Sequence, residues 1–343
     1  MYPAGLATFR ASPRCCCRRY PPRVARQRIP EDVLSAAHAR AKAREARDWP
    51  EADRLRATIE AAGWKIVDTG THFALSPAAP TDVAEDERIR YGSSRNVPSH
   101  LGEAPVGLAT VLLIATDWPG DLERSLAGLR AWVPPGTTTV IVADAPSAEQ
   151  EGALTELEGS LSGGQEVVRT SARLGHAAAT NVGLRRAIGP VAILLDTSVE
   201  PTGDFVTPLV RALDDPTVAV AGGWGIVSKD LRHFEDAPAG DVDAIEGYCL
   251  AFGRDDFAER GPLDERFTFY RNLDIWWSLV LRDGGEGKPS RRAVSLAGLP
   301  FVRHEHRGYA SLPDAERDRL SKRNFYRILD RFGMRRDLLV RPG

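Results

Sequence analysis

The feature that most constrains this chain is a series of short apolar segments that alternate with helical patterns after Pro105. Strands that alternate with helices in this way predict an α/β fold around a mainly parallel sheet, because parallel neighbours need a crossover helix. The predicted strands are Thr110–Ala115, Val140–Ala143, Val167–Val168, Val191–Leu195 and Val218–Ala221. The predicted helices are Leu122–Trp132, Glu149–Leu161, Ala177–Ile188 and Phe205–Leu213.

Polar residues directly follow three of these strands. Thr116 and Asp117 come after the first, Asp144 after the second, and Asp196 after the fourth. In open α/β sheets, ligands bind at the carboxyl ends of the strands, so these residues are candidates for one shared site.

The chain ahead of Pro105 has a different character. A segment rich in Ala, Arg and Glu predicts a helix over Glu31–Arg47, and a second helix begins near Pro50, which suits a first helical turn. Alternating residues after Gly63 predict a β-hairpin. The expected organisation is a disordered basic tail over 1–26, a small helical module with a hairpin over 27–76, a Pro-rich charged linker over 77–104, and an α/β domain over 105–335.

Composition excludes several classes of protein. The 45 basic and 47 acidic residues give a net charge of −2, which argues against a nucleic-acid binder that uses its whole surface. No run of about 18 apolar residues predicts a membrane span, although peripheral attachment stays open. The cysteines, three adjacent at 15–17 and one at Cys249, match no zinc or disulfide spacing. We therefore expect a cytoplasmic protein.

Ordered motifs after Pro105 resemble family 2 glycosyltransferases of the GT-A fold. The resemblance covers 105–332 and rests on these motifs: TVLLIATDWPGDLERSLAGL, VIVADAPS, RLGHAAATNVGLRRAIGPVAILLDTSVEP, GPLDERFTFYRNLDIWWSL and FVRHEHRG. It implies a hexosyltransferase-type enzyme that moves a sugar from a nucleoside diphosphate to a hydroxyl of a saccharide, lipid or protein, with inversion. The residues implied to bind the nucleotide sugar are Thr116, Asp144, Gly175, Asn181 and Asp196.

The same resemblance implies a divalent cation, Mg²⁺ or Mn²⁺, because both prefer oxygen ligands and neutralise a departing diphosphate. The implied ligands are Asp196, Ser198, His304 and His306. The two histidines lie two residues apart in a predicted strand, so both should face the same side of it. Ser198 stands where the family usually has a second acid, and Glu200 is a possible substitute.

On the acceptor side, the family usually has a Glu-Asp pair that supplies the general base. Here the aligned residues are Asn272 with Leu273, or Arg271 with Asn272, so Asp274 is the expected base. Glu246, Asn272 and Trp276 are the further acceptor-side candidates, with core packing as the alternative role of Trp276.

The segment over 28–76 resembles the small C-terminal module of cysteinyl-tRNA synthetases, through RDWPEADRLR and GWKIVDT. Its arginines could face tRNA phosphates, but interleaved acids weaken that interpretation. Two alternatives to an enzyme therefore stay open. One is an inactive GT-A-like protein that binds a nucleotide sugar, and the other is an RNA-associated protein that uses the module.

Overall fold

The computed structural model describes residues 29–340, apart from residues 70–71, 79, 86–87, 116, 160–163 and 286–288. The predicted tail over 1–26 lies outside the described residues. The chain divides into two compact units between Ala79 and Pro80.

The first unit is a helical hairpin followed by a β-hairpin, as predicted. Its elements are α1 Glu31–Glu45, α2 Trp49–Ala61, β1 Trp64–Thr69 and β2 His72–Pro77. Asp48 caps α2 by accepting the N–H of Glu51, and Gly63 follows the helix with a left-handed φ of 77°. These local signals are legible in the sequence, which is why the module was predictable.

The second unit contains the α/β domain. Its helices are α3 Pro119–Trp132, α4 Ala148–Glu158, α5 His176–Arg186, α6 Val206–Leu213, α7 Arg254–Arg260, α8 Leu273–Arg282, α9 Arg307–Ala310 and α10 Asp314–Phe332. Its strands are β3 Val83–Glu85, β4 Arg88–Tyr91, β5 Ala109–Ala115, β6 Thr137–Ala143, β7 Gln165–Thr170, β8 Val191–Leu195, β9 Val199–Pro201, β10 Val218–Gly222, β11 Gly225–Ser228, β12 Phe234–Ala237, β13 Gly240–Val242, β14 Ala244–Ile245, β15 Cys249–Gly253, β16 Arg292–Ser295 and β17 Phe301–Arg303.

Among the described residues, the main sheet has ten strands in the order β13-β16-β10-β15-β8-β5-β6-β7-β4-β3. The run β8-β5-β6-β7-β4 is parallel throughout, which confirms the predicted fold class. β15 is antiparallel to both β8 and β10, so the chain reaches Asp196 and the start of β15 at the same edge. Two smaller sheets, β12-β11-β14 and β17-β9, flank this edge.

Alternating side chains of the central strands feed two cores, one on each face of the sheet. On one face Leu112 and Val140 pack with residues of α5, α8 and α10. On the other face Val111 and Ile141 pack with residues of α3, α4 and α6. Burial on both faces explains why these strands are almost uninterrupted apolar runs.

The structure differs from the prediction over 77–104. Part of this segment forms β3 and β4, and β4 pairs in parallel with β7. Val97 is fully buried, and the buried side chain of Arg254 donates to the carbonyl oxygens of His100 and Glu103. These strands have exposed or half-exposed side chains, so they lack the apolar pattern by which strands are predicted.

Candidate functional site

Loops after three parallel strands meet at one edge of the sheet. Asp117 follows β5, and its Oδ1 accepts the N–H of Ser147 at 2.7 Å. Arg173, from the loop after β7, donates to both oxygens of Asp117 at 3.0 Å and to the carbonyl oxygen of Ala145 at 3.2 Å. The three loops therefore form one connected surface. Thr116, the predicted neighbour in this surface, lies outside the described residues.

Asp144 anchors the loop that leads into α5. Its Oδ1 accepts from Thr170 Oγ1 at 3.0 Å and from Leu174 N at 2.8 Å, and its Oδ2 accepts from Gly175 N at 3.0 Å. Burial raises the pKa of this carboxyl, although the three hydrogen bonds and the charge of Arg173 oppose the rise. These bonds hold the loop in place, and the direct contact of Asp144 with the donor stays a prediction.

Gly175 caps α5 with a φ of 97°, a conformation that favours glycine. A Cβ at this position would lie 2.9 Å from the Cα of Thr268. The glycine thus permits a close approach between this loop and the segment before α8.

Asn181 is buried inside α5 and bonds to the protein rather than to open space. Its amide donates to the carbonyl oxygen of Leu263 and to Glu265 Oε1, and it accepts the N–H of Leu263 at 2.9 Å. Its hydrogen-bonding atoms fix the segment at Leu263, so the predicted contact with a donor sugar has no support in its position.

Asp196 lies at the carboxyl end of β8 and receives hydrogen bonds on both oxygens. Oδ1 accepts from the N–H of Ser198 at 2.8 Å and from its hydroxyl at 2.5 Å, and Oδ2 lies 3.2 Å from His306 Nε2. Burial alone would raise the pKa of Asp196, but the charge and hydrogen bond of His306 and the two bonds from Ser198 lower it to about 2. Asp196 is therefore an anion at neutral pH.

His306 is fixed on three sides. Its Nδ1 accepts the N–H of Tyr309 at 3.1 Å, which caps α9, and its ring stacks on Tyr270 with centroids 4.4 Å apart. Burial opposes the charged form, but the attraction of Asp196 outweighs it and raises the pKa of His306. Nearby, burial lowers the pKa of His176 to about 4, so that imidazole is neutral.

The expectation that His304 and His306 share one strand face is wrong. β17 ends at Arg303, so the two histidines leave the strand in different directions. His304 Nε2 lies 2.7 Å from Glu200 Oε2, while His306 faces Asp196. This pairing also occupies Glu200, the predicted substitute for the missing acid.

Asp196 Oδ2 and His306 Nε2 are the two protein atoms that could bind a divalent cation, but His306 would first have to lose the Nε2 proton that it donates to Asp196 and release the Tyr309 N–H from Nδ1. Two ligands held about 2.1 Å from one cation and at right angles lie about 3.0 Å apart. The separation of Asp196 Oδ2 and His306 Nε2 is 3.2 Å. Ser198 turns its hydroxyl toward Asp196 Oδ1 and so supports the carboxylate. Among the described residues, no three His, Cys, Asp or Glu side chains form a metal-binding group. Further ligands would have to come from substrate and water.

Two of the predicted acceptor-side residues, Trp276 and Asn272, make contacts within the protein. Trp276 is 5% exposed, packs against Phe267 and Trp277, and lies under Arg331, so it belongs to the core. Asn272 has a left-handed φ of 69° and donates to the carbonyl oxygen of Ser321. Trp276 is therefore a core residue, while the half-buried Asn272 ties the start of α8 to α10.

Asp274 begins α8 and is held by backbone groups. Its Oδ2 accepts the N–H of Gly247 at 2.8 Å, and its Oδ1 accepts the N–H of Ile275 at 2.9 Å. Burial raises the pKa of Asp274 despite these bonds and the charge of Arg271. Glu246 adjoins it and lines a cavity of about 240 Å³ together with Trp224, Asp236 and Arg303.

Sequence reasoning missed two residues that line this cavity, Trp224 and Arg303. The guanidinium of Arg303 lies 4.8 Å from the ring centroid of Tyr248 and 5.6 Å from that of Trp224. The available signal was Trp224, which lies two residues after the end of β10 and so near a strand end like those of the predicted acids. Nothing in the sequence around Arg303 indicates that it lies beside Trp224.

In the first unit, the arginines considered for tRNA are mostly paired with acids. Arg40 makes a bidentate contact with Asp68, and Arg44 lies 3.4 Å from the same carboxylate. Two further pairs, Arg54 with Glu51 and Arg56 with Glu60, lie along α2. The resemblance to a synthetase module and the tRNA contact stay predictions.

Residues 111–260 match the family model of glycosyl transferase family 2, which is less than half of the chain. The match includes Asp144 and Asp196 but ends before α8 and β17. Among curated proteins, no sequence matches the chain. Among the described residues, no helix is long and apolar enough to span a bilayer.

Two solved structures share the fold. One is the mannosyltransferase PcManGT from Pyrobaculum calidifontis in complex with GDP-Man and Mn²⁺, with 18% identity, a TM-score of 0.51, and coverage of 69% of this chain and 67% of that one. The other is GalNAc-T7 with UDP, GalNAc and Mn²⁺, with 17% identity, a TM-score of 0.52, and coverage of 65% and 48%. This chain thus spans about half of GalNAc-T7. At these identities the likeness shows the fold of the domain.

Proposed function

We propose that this protein transfers a sugar, of the hexose class, from a nucleoside diphosphate to an acceptor hydroxyl with inversion. The observation that carries the proposal is the position of Asp196. This anion ends β8 inside the region that matches the glycosyltransferase family, and its backbone N–H donates to the carbonyl oxygen of Tyr248 at 3.0 Å. That bond joins the donor edge of the sheet to the loop carrying Glu246, beside Asp274.

The proposed donor site uses the loops after β5, β6 and β7 for the nucleotide and the end of β8 for the diphosphate. Arg173 supplies a cation on the surface that links these loops. Asp144 and Gly175 hold the loop in place, as their hydrogen bonds indicate.

The proposed chemistry is a single displacement. The acceptor oxygen attacks the anomeric carbon while the bond from that carbon to the diphosphate breaks and leaves its electron pair on the diphosphate. A carboxylate of the Glu246–Asp274 pair takes the hydroxyl proton. Mg²⁺ or Mn²⁺ held by Asp196 and by an unprotonated Nε2 of His306 would supply positive charge to the leaving diphosphate.

The test is a thermal-shift panel of UDP-, GDP- and dTDP-sugars with Mn²⁺. We expect at least one donor to raise the Tm. At 100 times its Kd, such a donor would add about 2.7 kcal/mol to the free energy of unfolding. Asp196→Asn should abolish the shift because the diphosphate end of the site loses its anchor. Glu200→Gln is the matched control, since that carboxylate pairs with His304, and it should keep the shift.

If no donor shifts the Tm of the wild-type protein, the proposed function is wrong. If a donor binds but is neither hydrolysed nor transferred, the protein is an inactive nucleotide-sugar binder. If the Asp196→Asn variant binds the donor as tightly as wild type, Asp196 at the end of β8 is not part of the donor site.

A further inference from the structure

The loop from Glu246 to Tyr248 is pinned by three backbone hydrogen bonds. Glu246 N donates to the carbonyl oxygen of Trp224 at 2.8 Å, Gly247 N donates to Asp274 Oδ2 at 2.8 Å, and Tyr248 O accepts from Asp196 N at 3.0 Å. Each bond goes to a different element. The backbone that carries the Glu246 side chain is therefore fixed beside the end of β8.

The two acceptor-side carboxylates have different surroundings. Asp274 accepts one backbone N–H on each oxygen, so about half of its acceptor sites already serve the fold. The Glu246 carboxylate has no hydrogen-bond or ion-pair partner among the residues that the structure describes. It lines the cavity of about 240 Å³ with Trp224, Asp236 and Arg303. A carboxylate without such bonds, at a cavity, can accept a proton from a bound group, whereas protonation of Asp274 would weaken the two hydrogen bonds that it accepts from the backbone.

We propose that Glu246 is the general base that deprotonates the acceptor hydroxyl, and that Asp274 is a positioning residue that holds the Glu246 loop. This assignment rests on the proposed function and names the catalytic residue of the same site. The acceptor is a hydroxyl compound bound in the cavity, and its proton passes to a Glu246 carboxylate oxygen as its own oxygen bonds to the anomeric carbon. The diphosphate departs with the electrons of the broken bond.

The charges around Glu246 suit this role. Burial raises the pKa of Glu246 to about 7, and the negative charges of Asp274 and Asp236 add to the rise. Arg303 and Arg271 oppose it. A base with a pKa near the working pH combines a substantial ionised fraction with strong proton affinity. Because the ionised form is the active one, the rate should rise with pH through this range.

The test uses the full chain and the donor that gives the largest Tm shift, and it measures release of nucleoside diphosphate with water as acceptor. We expect Glu246→Gln to keep the donor-induced Tm shift, because the side chain makes no hydrogen bond that the fold needs. Its hydrolysis rate should fall by about 100-fold or more, and the rise of rate near pH 7 should disappear. Asp274→Asn should lower the Tm of the free protein yet keep a pH-dependent rise, moved to lower pH because the charge of Asp274 no longer raises the pKa of Glu246.

Sodium azide separates a missing base from a damaged site, because azide attacks carbon without losing a proton. We expect azide to restore donor consumption by Glu246→Gln with formation of a glycosyl azide, and to give Asp274→Asn no comparable gain. Glu246→Asp should recover part of the rate.

Three results would overturn the assignment. One is a Glu246→Gln variant with the wild-type rate and pH profile, and another is azide rescue confined to Asp274→Asn. The third is a wild-type protein that binds a donor but consumes none with water or azide. Failure of the proposed function looks different, because no donor then shifts the Tm of the wild-type protein at all.

Discussion

Replacing Asp144 by asparagine tests whether this residue holds the loop before α5. The aspartate accepts three hydrogen bonds, from Thr170 Oγ1, Leu174 N and Gly175 N. An amide has a single oxygen, which can retain the two donors on the Oδ1 side. Its NH₂ group then faces the N–H of Gly175, so two donors oppose each other.

The magnitude follows from these contacts. A buried donor without a partner costs about 1–3 kcal/mol, and each retained bond loses its charge assistance, about 1 kcal/mol. Burial penalises the charged carboxylate, as its raised pKa shows, so the neutral amide recovers part of this loss. We expect the free energy of unfolding to fall by about 2 kcal/mol. For a domain of this size that lowers the Tm by about 4–8 °C.

Urea and thermal unfolding measure the change, with Thr170→Val as the matched control. That variant removes one donor of the three at nearly constant volume and should cost about 1 kcal/mol. An Asp144→Asn protein as stable as wild type, with weakened nucleotide binding, would refute the positioning role and favour direct contact with the donor.

Three further predictions concern the domain as a whole. Arg254→Met should lower the unfolding free energy by about 3 kcal/mol in urea titrations, because the buried guanidinium donates to four carbonyl groups. An unchanged free energy would contradict the inclusion of residues 98–104 in the domain. Gly189→Ala should lower the Tm and reduce the free energy of unfolding by about 1–3 kcal/mol, because the new Cβ would lie 2.4 Å from the backbone of Ala109. In the control Gly152→Ala, in α4, the new Cβ meets nothing within 4 Å, so this variant should raise the Tm. Burial raises the pKa of the Cys249 thiol, so peptide mapping after iodoacetamide treatment should find Cys249 labelled in the denatured protein only.

Features encoded over a few neighbouring residues could be predicted from the sequence. The doubly buried strands β5, β6 and β8 each end in a continuous apolar run, and the acids after them lie at strand ends because a strand stops where the apolar run stops. The caps of α2 at Asp48 and Gly63 are likewise local. The fold class follows from such signals, since alternating strands and helices leave few ways to bury both faces of a sheet.

Only the tertiary structure decided which side chains meet. Gly247, next to Glu246, donates its backbone N–H to Asp274 across 27 residues, and Asp196 meets His306 across a still longer separation. The sequence wrongly placed His304 beside His306 because it did not show that β17 ends at Arg303. It also missed β3 and β4, whose exposed side chains give no apolar pattern. The physical reason is common to all of these: long-range pairing and strand ends depend on backbone hydrogen bonds, which almost every residue type can make.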